Sequence, residues 1–324
     1  MQNKEILLQA KNLKKYFPVR SFIGTKKQYV KAVDDINLDI RKGECFGLVG
    51  ESGCGKSTLG RTLIRMYEPT GGEIIFGNQD ITYLNHKEII PYHKRMQIIF
   101  QDPYSALDPH QNVKEIIEEP LKIHTSLSAV ERHDYIVELL GKVGMKEDDL
   151  EKYTYEFSGG QRQRIGIARA LSVNPEFIMC DEPISALDVS IQAQVVNMLE
   201  DLQAEMGLTY LFVSHDLSMV RHISDRIGVM YLGTIVEIAD CDELYDYPAH
   251  PYTKALLSAI PIANPEIART TKRQIIEGDL PSPLNVPSGC RFRTRCPHAT
   301  ERCALETPKL HEIAPGHMAA CHLV

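Results

Sequence analysis

Gly50-Glu51-Ser52-Gly53-Cys54-Gly55-Lys56-Ser57-Thr58 follows the pattern G-x-x-x-x-G-K-[ST], the spacing of a loop that wraps a polyphosphate. Residue type sets what such a loop can do. Its glycines let backbone N–H groups turn towards phosphate oxygens, and the N-terminus of the helix behind it adds positive potential. Lys56 neutralises phosphate oxygens, and Ser57 offers a hydroxyl to Mg²⁺. The apolar run Cys45–Val49 stands before the motif and a helical run follows it, which is the context the motif requires.

A second chemical feature is Phe177-Ile178-Met179-Cys180-Asp181-Glu182, a buried strand ending in two carboxylates. Side chains alternate along a strand, so the two point in different directions and serve different roles. Asp181 suits a Mg²⁺ held through water, and Glu182 suits the polarising of a water that attacks a γ-phosphate. Cys180 reads as a buried core thiol. A third is Phe157-Ser158-Gly159-Gly160-Gln161, which opens the helical run Arg162–Leu171. By its residues it is either a flexible cap or a second phosphate-binding helix N-terminus. Gln101 and His215, taken alone, read as polar loop residues.

Elements must hold these groups in place. From residue 45 to about 240, short apolar runs alternate with helical periodicity, the pattern of an α/β fold with a parallel sheet. The strand candidates are Cys45–Val49, Met96–Phe100, Phe177–Cys180, Thr209–Val213 and Ile227–Met230. The first 40 residues alternate apolar and polar around the polar stretch Arg20–Gln28, which predicts antiparallel strands about a loop. A mixed sheet follows. Asn112–Phe157 has helical spacing throughout and reads as a helical insert. Asp188 or Ser190 caps a helix that Gly207 ends, and Thr253–Ile260 is one more helix before a proline-rich tail.

Composition narrows the function classes. The 324 residues carry 36 Lys and Arg against 43 Asp and Glu, a net charge of −7. That leaves no broad positive field for a nucleic acid, so none is expected as a partner. Only three apolar residues precede Gln9 in the leading run, so no secretory leader is read there. No run reaches the roughly 18 apolar residues of a membrane-spanning helix, which makes any membrane role peripheral. Near residue 248 the composition changes: 10 of the 18 prolines lie beyond 247, and four of the eight cysteines fall in the last 35 residues.

Taken in order, the phosphate loop, Gln101 in Ile99–Pro103, Ser158-Gly159-Gly160-Gln161, Asp181-Glu182 with the Ser185–Asp188 loop, and His215 in Phe212–Asp216 resemble the motifs of the ATP-binding cassette family. Phe157 replaces the commoner Leu at the first signature position. Asp102–Pro109, His250–Leu257 and Gly278–Asn285 are similar to the ATPase subunits of bacterial oligopeptide and dipeptide importers. The Pro-Ser-Pro-Leu-Asn segment and Asp188–Gln194 are more like the second of their two ATPases.

The resemblance implies a P-loop ATPase with a mixed sheet core, an antiparallel β subdomain, a helical subdomain at about 105–157 and a small C-terminal proline- and cysteine-rich tail. The ATP-binding domain would span 1–247 and the C-terminal region 248–324. Residues 50–58 and Lys56 would bind ATP, with adenine stacked on Phe17, or on Tyr16 as the alternative. Ser57, Gln101 and Asp181 would hold Mg²⁺. Glu182, His215, Gln101 and Lys56 would carry the chemistry. Ser158, Gly159, Gly160 and Gln161 would act in trans on the ATP of a second, homologous ATPase subunit. The implied partners are that subunit in a heterodimer, two membrane permease subunits and, indirectly, an extracytoplasmic peptide-binding protein. The implied location is the cytoplasmic face of the inner membrane, held peripherally.

Cys290, Cys296, Cys303 and Cys321 are spaced C-x5-C-x6-C-x17-C. This spacing lacks the C-x2-C pair of zinc fingers, in a segment too poor in apolar residues to order itself by core burial. A [4Fe–4S] cluster is the favoured reading, with Zn²⁺ the alternative, His298, His317 and His322 as further ligands, and unliganded or oxidised thiols also open. Gly289–Phe292 and Arg295–Pro297 resemble the tails of importer ATPases, and that resemblance implies such a cluster. Arg291, Arg293, Arg295 and Arg302 stand near enough in sequence to offset its negative charge.

Overall fold

Three runs in which every residue is buried, Cys45–Val49, Phe177–Asp181 and Thr209–Val213, form strands. Continuous apolar runs of this kind belong to parallel strands covered on both faces. The computed structural model describes residues 5–19, 28–260, 276 and 278–324, so most of the expected loop Arg20–Gln28 lies outside the described residues. Two units divide the chain.

One unit takes Arg41–Cys45 and Tyr83–Val213 with Glu5. Met96–Ile99, Phe177–Asp181 and Thr209–Val213 run parallel within it, with Ile99 beside Cys180 and Cys180 beside Phe212. The expected helical insert is present as Val113–His124 and Ala129–Lys142. Each helix starts on a reciprocal cap, Asn112 with Glu115 and Ser128 with Glu131, a device worth about 1 kcal/mol. Gly159–Leu171 and Val189–Met206 complete the principal helices. Asp188 is the N-cap of the latter without a side-chain capping bond, and Gly207 closes it in a left-handed conformation.

The other unit takes the described residues of Ile6–Ile40, Phe46–Thr82 and Ser214–Val324. One sheet is ordered Tyr29–Arg41, Ile6–Pro18, Gly71–Phe76, Gln79–Asp80. Ile6–Pro18 and Gly71–Phe76 are antiparallel, and Tyr29–Arg41 lies on the other side of Ile6–Pro18. In the second sheet Cys45–Val49 runs parallel to Arg226–Tyr231, and Thr234–Asp240, His317–Ala319 and His311–Ala314 follow antiparallel.

The tail departs from expectation. Its last two strands extend a sheet, and Phe292 is only 2% exposed. The Phe292 ring lies 5.3 Å from that of Tyr231 and 5.4 Å from that of Tyr252. One large aromatic and two short strands supply the burial that the apolar count left out. Glu237, fully buried, fixes the approach: its carboxylate accepts the N–H groups of Ala249 and His250 and hydrogen-bonds His317 Nε2 at 2.8 Å. The expected helix Thr253–Ile260 runs instead over Pro251–Ser258, because Pro251 takes the first turn and His250 caps it.

His250 caps through Nδ1, which accepts the Tyr252 N–H at 3.0 Å and must therefore be unprotonated. Burial, with Lys254 adding to it, pushes its pKa down to about 4 from an ordinary 6.5. The folded state thus binds the proton less readily than the unfolded one, and the contribution is full above 6.5 and lost as pH falls towards 4. Comparing denaturant unfolding of wild type and His250→Asn, which keeps an acceptor without the titration, should show a shallower acid loss in the variant. The difference in slope should reach at most about 1.4 kcal/mol per pH unit. Parallel curves would contradict the capping role.

Candidate functional site

Between Cys45–Val49 and the helix Lys56–Leu63, the loop holds a shape that side chains at two positions would forbid. A Cβ on Gly50 would stand 2.2 Å from the Met230 carbonyl oxygen, and one on Gly55 would stand 2.1 Å from that of Ala32. Both glycines also take positive φ, 150° and 109°, which non-glycine residues rarely adopt. Lys56, 4% exposed, donates to the carbonyls of Gly50 at 2.8 Å and Glu51 at 3.2 Å. The loop thus carries its own cation folded against its backbone. Cys54 is buried, and burial raises its thiol pKa. Ser57 and Thr58 are half-buried and Ser52 and Gly53 exposed.

In the other unit, Asp181 is the last residue of its strand and is fully buried. Glu182, the next residue, has φ 48°, a left-handed backbone that costs a non-glycine residue about 1–3 kcal/mol and concentrates at functional positions. Its N–H donates to the Val213 carbonyl at 2.9 Å, and its carboxylate accepts from Gln101 Nε2 at 2.9 Å. Gln101 and Glu182, 81 residues apart, are therefore partners. The strand before Gln101 ends at Ile99 rather than at the expected Phe100.

Ser158 caps the helix Gly159–Leu171. Its hydroxyl accepts the Gln161 N–H, and the Gln161 side chain accepts the Ser158 N–H at 3.0 Å. This reciprocal cap leaves the amides of Gly159 and Gly160, at the first two helical positions, without intrahelical partners and pointing along the axis. A Cβ on Gly160 would lie 2.6 Å from Ile191 Cγ2, so the glycine there is also a packing requirement. Phe157, 6% exposed, is a core residue.

The other unit separates Tyr16 from Phe17. Tyr16 donates its hydroxyl to Asp34, whereas Phe17 is half-buried, edge-on to Tyr67 at 5.6 Å with Lys15 Nζ 4.9 Å from its centre. His215 is exposed, beside the cap formed by Asp216 on Leu217–Ile223.

Cys290, Cys296, Cys303 and Cys321 share one neighbourhood, and the Cys290 N–H donates to the Cys303 carbonyl at 2.8 Å. Yet among the described residues no group of three or more His, Cys, Asp or Glu is arranged to hold a metal ion. Burial, reinforced by the other three thiols, pushes Cys290 up to about 11, and burial also raises Cys296 and Cys321. A cluster or zinc would take these groups as thiolates, the metal displacing their protons. The arginines are occupied elsewhere: Arg291 bonds Asp34, Arg295 bonds Glu51, Arg293 bonds Ser288 and Arg302 bonds Glu306. The Arg295–Glu51 pair and the bond from the Glu51 N–H to Tyr252 Oη at 2.8 Å join the loop to the C-terminal segment. Nothing in the local sequence pattern signals them.

Comparison with known proteins gives a consistent result. Residues 33–185 match the ABC transporter family model, and residues 236–303 match the oligopeptide/dipeptide transporter C-terminal region. The chain is 52% identical to the oligopeptide transport ATP-binding protein AppF of Bacillus subtilis, over 99% of this chain and 98% of that protein. It is 49% identical to OppF of Haemophilus influenzae, over 98% and 97%. A dimeric post-hydrolysis ATP-binding cassette, MJ0796 bound to ADP and Pi, matches with a TM-score of 0.65 at 29% identity, over 72% of this chain and 99% of that one.

Two substitutions test the loop and the ring. Lys56→Ala should weaken binding of a fluorescent ATP analogue at least tenfold, since no other loop side chain carries positive charge. Phe17→Ala should weaken it about tenfold, the scale of a lost base–aromatic stack. Wild-type affinity in either variant contradicts that residue's role.

Proposed function

Because the chain belongs to the ABC transporter family of ATP-binding subunits, we infer that it hydrolyses ATP with Mg²⁺ to power import of di- and oligopeptides through separate membrane subunits. The observation that carries the chemical part is Glu182, held in a left-handed backbone at the end of a buried strand and bonded to Gln101. Among the described residues no helix is long and apolar enough to cross a membrane; in this reading the chain is a peripheral subunit at the cytoplasmic face of the membrane, reached through the permease subunits.

The residue roles are part of the proposal. The loop 50–58 binds the phosphates through Lys56 and backbone amides other than that of Glu51, which donates to Tyr252 Oη, and Phe17 stacks on the adenine. Glu182 accepts a proton from the attacking water, Gln101 orients Glu182, and His215 donates towards the γ-phosphate. Ser57, Gln101 and Asp181 offer only oxygen donors, the ligand type of Mg²⁺, and the bound ion offsets phosphate charge. Ser158 to Gln161 act on the ATP of a second, homologous cassette, so ATP closes a heterodimer and hydrolysis releases it. Two permease subunits receive that motion, and a peptide-binding protein outside the membrane selects the cargo. The ATP-binding domain covers 1–247, with its helical subdomain near 105–157, and 248–324 is the C-terminal region.

A structural [4Fe–4S] cluster, with Zn²⁺ the alternative, is the finer reading of the four thiols. Their common neighbourhood supports it, and no step of ATP hydrolysis passes through it. Anaerobically purified protein should then hold about four irons and four sulfides per chain. Colourless protein with no iron or sulfide contradicts the cluster, and one zinc per chain selects the alternative.

Glu182→Gln should lower steady-state ATP hydrolysis at least a hundredfold while ATP affinity stays within about threefold of wild type, because it removes the proton acceptor and leaves the loop intact. Near wild-type turnover would contradict the role of Glu182.

A further inference from the structure

Glu51 places a carboxylate inside a loop built to receive a polyanion. An uncompensated negative charge there opposes ATP. The compensation comes from 244 residues downstream: Arg295 grips the Glu51 carboxylate with both terminal nitrogens, at 2.7 and 3.0 Å. The Arg295 side chain is 8% exposed and that of Glu51 26%, so solvent screens the pair only in part. Fork-to-fork pairing fixes direction as well as charge. Arg295 is itself held, since its N–H donates to the Phe292 carbonyl at 2.9 Å and the Phe292 ring is buried against Tyr231 and Tyr252. The same Tyr252 accepts the Glu51 N–H. Side chain and backbone of Glu51 are therefore both tied to the C-terminal segment.

We propose that Arg295 is a positioning residue of the nucleotide site: it neutralises Glu51 and turns its carboxylate away, so that the loop meets ATP without an opposing charge. The proposal rests on the reading of Gly50–Thr58 as the ATP phosphate loop. It makes the C-terminal segment part of the nucleotide-binding apparatus.

Charge compensation and simple structural support differ in sign. ATP affinity is measured on the full chain, with melting temperature in the absence of nucleotide recorded alongside. Arg295→Met, which leaves the carboxylate unpaired, should bind ATP about tenfold more weakly. Glu51→Gln should bind at least as tightly as wild type, and the Glu51→Gln/Arg295→Met double variant should return to within about threefold of wild type. Arg295→Gln, which keeps a polar group in the same place, should repeat the loss if the Met variant does not fold. Wild-type affinity in the Arg295 variants, or a double variant as weak as the single one, overturns the proposal while Lys56→Ala still loses ATP. If Lys56→Ala binds like wild type, the phosphate-loop reading fails and this proposal with it.

Discussion

The phosphate loop exists in its observed form only because no side chain stands at Gly50 and Gly55, where backbone carbonyls of Met230 and Ala32 fill the space a Cβ would take. That steric constraint ties the loop to strands distant in sequence. It also explains why the flanking elements, Cys45–Val49 and Arg226–Tyr231, are buried so completely: a loop shaped by carbonyl contacts needs neighbours that do not move.

Charge is the second organising quantity. A chain of net charge −7 binds a polyanion only where local positive potential outweighs the surroundings. In the proposed reading Lys56 and the loop amides provide it, and the carboxylates of Glu51 and Asp34 are engaged, Glu51 by Arg295 and Asp34 by Arg291 and Tyr16. The carboxylates at Asp181 and Glu182 belong to the other unit, with the helix opened by Ser158. The strand-end geometry of that pair gives adjacent acids unlike surroundings, one fully buried and one in a strained backbone bonded to Gln101.

Much of this was legible in the sequence because it is written at short range. Glycine spacing, the strand-end carboxylates and the Ser158 cap each declare themselves within ten residues, and the apolar runs mark the buried strands. What escaped is long-range or depends on a single residue. The strands His311–Ala314 and His317–Ala319 are too short for a pattern, and Phe292 counts as one apolar residue while sealing an aromatic cluster. Arg291 and Arg295, read beside cysteines as counter-charges for a cluster, turn to carboxylates more than two hundred residues away. Tyr16 and Phe17, adjacent on one strand, differ in role only through the partner each meets, and sequence does not record partners.

The central claim is that ATP hydrolysis by this chain drives peptide movement through other subunits. Its most direct test is uptake of a labelled oligopeptide into vesicles that contain the two membrane subunits, this chain and a second cassette, with the binding protein supplied on the peptide side. The account predicts accumulation that rises in step with ATP hydrolysed and stops when this chain is omitted or a non-hydrolysable analogue replaces ATP. Hydrolysis that proceeds at the same rate with or without peptide, with no accumulation, would contradict it.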